Sequence, residues 1–222
     1  MLRRICSVLL LAIAFTGHTA FAQTPDLQPK YGRTSEDSAP GADDQKFLAA
    51  TDQRFKGDRK KASADFAARG WTALRQGKSD EAMQRFNQAW LLQSNNGNAL
   101  WGMGQIEANR GRAAESLKLF GEANRLIGFE LDFAVDYARA QSLAGVKLGD
   151  KQLVDEAFKR FAQLQARAPT NTLNLQNWAI ALFYAGQYAA AWDKVKAAQA
   201  TPRGAEVDKK FVADLQRKMP RP

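Results

Sequence analysis

Apolar residues recur at three- and four-residue spacing along most of this chain, and no segment shows the strict alternation of a half-buried strand. One face of the stretch from Asp44 to Phe55 carries Phe47, Leu48 and Phe55. Near the other end Val207, Phe211, Val212, Leu215 and Met219 form one stripe, with Lys209, Lys210, Arg217 and Lys218 opposite it. Between these two stretches the pattern predicts helices throughout, punctuated by Gly77, Gly111, Gly145 and Gly186. A glycine at the end of an apolar period marks a left-handed helix stop. Ser79-Asp80-Glu81-Ala82 after the first of them reads as a cap and first turn.

The helical pattern repeats. Gly70, Gly77, Ala82, Phe86 and Ala89 return 34 residues later as Gly104, Gly111, Ser116, Phe120 and Ala123. Adding 34 again gives Ala138 and Gly145, after which the register slips by seven residues to Ala157 and Phe161, with Pro169 closing the unit. The spacing then resumes through Gly186, Ala191 and Val195. The seven extra residues fall between Gly145 and Ala157, so the expectation is a longer turn between that unit's two helices; lengthening a loop is thermodynamically mild. Small residues at Gly70, Gly104, Ala138 and Ala179 allow close helix approach, and Phe86, Phe120 and Phe161 fill the space between helices. Periodic units of this length indicate stacked two-helix repeats, each burying its apolar face on the next.

From Ser63 to Arg203 the pattern resembles the tetratricopeptide-repeat (TPR) family, whose motif runs aromatic-x-x-Leu-Gly-x-x-Tyr, then Ala-x-x-x-Phe, then Pro. Phe66, Gly70, Ala82 and Phe86 match in the first unit, and Leu100, Gly104, Ser116 and Phe120 in the second. Tyr137, Ala138, Ala157, Phe161 and Pro169 match in the third, and Leu175, Ala179 and Ala191 in the fourth. The chain departs from the motif where Arg69 and Ala73 replace Leu and Tyr, where Val195 replaces Phe, and in keeping the Pro in the third unit only. The resemblance implies an all-α, right-handed solenoid of about four helix pairs over 58–203 (63–96, 97–130, 131–170 and 172–203). A capping helix at 44–57 and a C-terminal capping helix and tail over 204–222 flank it.

The first helix of each TPR unit lines a concave surface. Carried onto this chain, the groove positions include Trp71, Arg75, Asn98, Trp101, Gln105, Asn109, Arg139, Gln176 and Tyr184. Two tryptophans beside Arg, Asn and Gln have the composition of a binding hot spot. Trp71 and Trp101 either project into that surface or pack between neighbouring repeats; Trp90, Trp178 and Trp192 read as core. Family members that clasp acidic C-terminal tails use Lys and Asn, whereas Ala67, Trp71 and Asp132 stand at those positions here.

The N-terminus adds an address. Met1 to Ala22 combines Arg3 and Arg4, an apolar run from Val8 to Phe15, and Ala20-Phe21-Ala22. This is the pattern of a secretory signal peptide cleaved after Ala22, and the run is too short to span a bilayer. The expected location is the periplasm or the exterior, with no integral span after cleavage. Residues 23–43, with Pro25, Pro29, Pro40 and Gly41, read as a disordered linker.

Cleavage would remove the chain's single Cys (Cys6) and single His (His18). Imidazole or thiol catalysis, disulfides, and His or Cys metal sites then have no residues to use. The carboxylate pairs Asp80/Glu81 and Asp155/Glu156 read as helix-start residues favoured by the macrodipole. No glycine-rich phosphate loop precedes a helix, so neither an enzyme nor a cofactor is expected. Thirty-two Lys and Arg against 23 Asp and Glu give a net charge of +9, or +7 without Arg3 and Arg4. That field favours acidic proteins or anionic envelope material over nucleic acid, which an exported protein rarely meets. The leading expectation is a non-catalytic scaffold that binds a peptide segment of an envelope protein. The alternative is a basic adaptor that adheres electrostatically to envelope polymers or membrane surfaces.

Overall fold

The structure, a computed structural model, describes residues 25–33 and 39–222. The leader expected over 1–22 lies outside the described residues, as do residues 23–24 and 34–38 of the expected linker. The described residues form an all-α stack. A first helix, α1 (Ala42–Phe55), precedes four hairpins: α2 (Arg59–Arg75) with α3 (Ser79–Leu92), α4 (Gly97–Asn109) with α5 (Ala113–Leu126), α6 (Leu131–Leu148) with α7 (Lys151–Arg167), and α8 (Thr172–Tyr184) with α9 (Tyr188–Gln199). A last helix, α10 (Lys209–Lys218), closes the described chain. Helices pack chiefly on their hairpin partners, and α2, α4, α6 and α8 also touch in succession, which makes them one layer of the stack.

Local chemistry explains the alternation. Helices α2, α4, α7 and α8 begin at Asp58, Asn96, Asp150 and Asn171, each side chain accepting from a first-turn amide. Helices α3, α5 and α9 have no such cap. They follow a tight turn in which Gly77, Gly111 or Gly186 takes φ of 75°, 73° or 75°. The next amide (Lys78, Arg112, Gln187) then reaches back five residues to the preceding helix. This six-to-one bond stops one helix and aims the following one. Ser79 is therefore the first residue of α3 and not its side-chain cap.

The seven-residue slip is helix, not loop. Helix α6 is five residues longer than α4 (18 against 13) and α7 three longer than α5 (17 against 14). The turn between them is one residue shorter, Gly149-Asp150 in place of Arg110-Gly111-Arg112. The left-handed stop thus moves from Gly145 to Gly149, at φ 70°. Gly145 lies inside α6, where a Cβ would come within 3 Å of Val154 and of the Asp150 carbonyl oxygen. Because α7 starts at Lys151, Asp155 and Glu156 sit in its second turn and not at its start.

The core runs between the layers. Phe86, Phe120 and Phe161 are fully buried. The Phe86 ring is wedged against Gly70 on α2 and Gly102 on α4, so close that a Cβ at either glycine would overlap it. Trp90 and Trp192 are buried, as expected, while Trp178 is half-buried and stacks on Phe161 at 6.0 Å. Leu48 of α1 is buried, and Phe47 meets Phe66 edge-on at 5.3 Å. Phe211 and Leu215 of α10 bury against α8 and α9.

The expected disordered linker is ordered over part of its length. Pro25–Leu27 and Pro29–Gly32 form short turns, with Lys30 and Tyr31 both in the left-handed region (φ 55° and 57°). The fully buried Asn87 of α3 holds this segment by its backbone. Its amide nitrogen donates to the carbonyls of Asp26 (3.0 Å) and Gln28 (2.7 Å), and its oxygen accepts from the Tyr31 amide. Lys30 pairs with Glu122 of α5 at 2.5 Å, and Arg110 donates to the Leu27 carbonyl at 2.8 Å. Proline-rich composition suggests a free tether, but buried hydrogen-bond partners elsewhere in the chain immobilise it.

Candidate functional site

The layer of first helices carries a ladder of aromatic rings. Trp71 of α2 meets Trp101 of α4 edge-on at 4.6 Å, and Trp101 meets Phe133 of α6 at 5.5 Å. Trp71 also touches Phe86, which ties the ladder to the core. Trp101 is only 8% exposed, so it packs between repeats. An edge of it nevertheless forms, with Trp71, the floor of an open hollow of about 540 Å³. The two readings of these tryptophans therefore both describe one arrangement: an inter-repeat contact whose outer surface is a floor.

Arg75, Asn98, Lys60, Asn96 and Glu130 edge this hollow. Asn96 is committed to local structure: it caps α4 at Ala99 and donates to the buried Ser63 hydroxyl at 2.7 Å. Arg75 touches Thr72 of its own helix at 3.1 Å and is otherwise exposed, as is Asn98. The hollow thus offers apolar floor with donors and acceptors at its rim, the combination that orients a bound chain.

A smaller hollow of about 200 Å³ continues along the same layer, lined by Gln105, Asn109, Asp136, Arg139 and Tyr184 among others. Trp101 joins the two, because its Nε1 donates to Asp136 Oδ2 at 3.1 Å. Burial pushes the Asp136 carboxyl up to about 6; the Trp101 hydrogen bond and Arg139 oppose that rise, and Asp132 and Glu130 reinforce it. Tyr184 is 57% exposed at the rim.

Of the nine groove positions read from the sequence, Trp71, Arg75, Asn98 and Trp101 meet in the larger hollow. Gln105, Asn109, Arg139 and Tyr184 meet in the smaller. Gln176 stands apart: its side-chain oxygen accepts from the Asp208 amide at 2.8 Å and so fixes the start of α10. The motif spacing missed Asp136, which follows the buried Val135 on α6. Lys60 and Glu130 were missed as well. They stand at the beginning of α2 and just before α6, where a count along helices does not reach.

No family model matches the chain, and no curated protein is significantly similar to it. Among solved structures it is similar to TTC0263, a thermophilic TPR protein of Thermus thermophilus, at 16% identity and a TM-score of 0.61. That match covers 72% of this chain and 84% of the other. The fold is a TPR stack. A second TPR protein, YrrB, described as having an unusual peptide-binding site, aligns at 14% identity over 76% of this chain and 98% of its own. Its TM-score of 0.35 carries no weight.

Proposed function

We propose that this TPR chain is an exported, non-catalytic scaffold that holds a segment of a partner protein in the hollow over Trp71 and Trp101. The observation that carries this reading is the paired indole floor beneath an open hollow of about 540 Å³, rimmed by exposed Arg75 and Asn98. Paired aromatics supply apolar area with little rotamer entropy to lose, and the rim groups read the backbone of an extended chain. The signal-like leader at 1–22 supports the periplasm or the exterior as the place where this happens, with an envelope protein as partner and no nucleic acid. Groove binding of one segment would reach about micromolar strength, on the order of −8 kcal/mol.

The rim supplies the test. Arg75→Glu reverses the charge at one exposed position, and Asn98→Arg adds bulk and a charge at another. The double variant is expected to lose the partner captured by the wild-type chain from an envelope fraction, with its circular dichroism and melting temperature unchanged. Wild-type capture should also survive 0.5 M salt, which screens exposed charges beyond about 4 Å. Capture that the double variant retains, and that salt abolishes, would instead favour the basic adaptor suggested by the +9 charge.

A further inference from the structure

Beside the larger hollow, and separated from it by Glu130, lies a second cleft of about 220 Å³ between α7 and the turn that joins α5 to α6. One face of α7 lines it with Arg160, Gln163, Leu164 and Arg167. The two arginines are not ordinary surface cations. The Arg160 guanidinium lies 4.8 Å from the centre of the Tyr137 ring, and that of Arg167 lies 4.7 Å from the centre of Phe129. A guanidinium stacked on a ring keeps its edge free, and that edge is the part that grips a carboxylate bidentately. Among the described residues, neither arginine forms an ion pair. The nearest carboxylate on the same helix, Glu156, is engaged by Gln141 and Gln152. Seven residues of helix separate the two guanidinium stems, about 10 Å along the axis.

The space between them is mixed, with Asn124 and Gln163 giving it polar walls beside an apolar floor. Ile127, Phe133, Ala134 and Leu164 form its floor, and Phe129 stands 65% exposed at its edge. A large aromatic left that open, and flanked by two cations without acidic partners, has the character of a contact surface. We infer that this cleft recognises an acidic, partly apolar peptide segment: two carboxylates on Arg160 and Arg167, and an apolar side chain between them over Leu164 and Phe129. Charge complementarity names the occupant, since the chain carries +9 and the cleft holds two cations against the single carboxylate of Glu130. This site is distinct from the tryptophan-floored hollow and stands whether or not that hollow binds anything.

The experiment is a titration of the full chain with a fluorescein-labelled dodecapeptide in which glutamate pairs flank leucine, at physiological salt. Saturable binding is expected, about tenfold weaker in the R160Q/R167Q variant and unchanged in Lys196→Gln, an exposed cation on α9 away from both hollows, with circular dichroism confirming that both variants fold. Four results would overturn the proposal. These are no saturation below about millimolar peptide, equal binding of the glutamine counterpart of the peptide, binding undiminished in R160Q/R167Q, or displacement by millimolar inorganic phosphate with no preference for the peptide.

Discussion

Phe86 shows how single residues set the spacing of the stack. Its fully buried ring fills the gap that Gly70 and Gly102 leave, and at Gly102 a Cβ would stand 2.1 Å from the ring. Helix propensity favours Gly102→Ala by up to about 1 kcal/mol, whereas overpacking a closed core costs about 1–3 kcal/mol. Sterics should win, so the variant is expected to melt lower than wild type; an unchanged or raised melting temperature would mean the wedge is not there. Asp136 gives a second residue-scale prediction. Its folded-state value lies near 6 against an ordinary 3.8, so the folded chain holds this proton more tightly than the unfolded one. Its contribution to stability therefore falls as pH rises from 3.8 to about 6. Asp136→Asn keeps an acceptor for Trp101 and removes the titration. Denaturant titrations should show the variant gaining on the order of 1–2 kcal/mol over wild type across that window, and parallel curves would contradict the assignment. The close approach at Gly70 was legible in the sequence, since a small residue that recurs in step with a phenylalanine marks room kept for the ring. The burial of Asp136 was not, because it depends on which neighbour covers it.

Elements were legible wherever one period controlled them. The left-handed stops at Gly77, Gly111 and Gly186 follow from the repeat itself. Between α6 and α7 the period was interrupted, and a count by register could not tell a longer loop from longer helices. The chain resolves this by adding helix on both sides, because Gly149 offers a second left-handed stop one turn later and Asp150 caps α7 at once. Gly149→Val should therefore cost about 1–2 kcal/mol, read from chemical denaturation. No change would place the stop elsewhere. Gln176 illustrates the converse case. A count along the motif puts it in the groove, yet the neighbouring element takes its side chain for the start of α10.

For the whole molecule, two long-range features were hidden from the sequence. One is the fully buried Glu107 near the end of α4, which pairs with Arg110 at 2.9 Å and Arg112 at 3.1 Å. Arg110 in turn reaches Asp80 and the N-terminal segment, so one cluster links α4, α3 and residues 25–33. The other is the Asn87 clasp on that segment, which joins positions 56 to 61 residues apart. Neither has a periodic signal; both arise from tertiary placement. The stack as a whole leaves the Trp71–Trp101 floor facing an open hollow, and the proposed function rests on that hollow being filled by another chain. Photocrosslinking in intact cells tests this most directly, with benzoylphenylalanine placed at Asn98 over the floor or, for comparison, at Lys196 on α9, both exposed. The account predicts adducts from Asn98 that map to one contiguous segment of one polypeptide and are absent from Lys196. The same adducts from both positions, or none from Asn98, would contradict it.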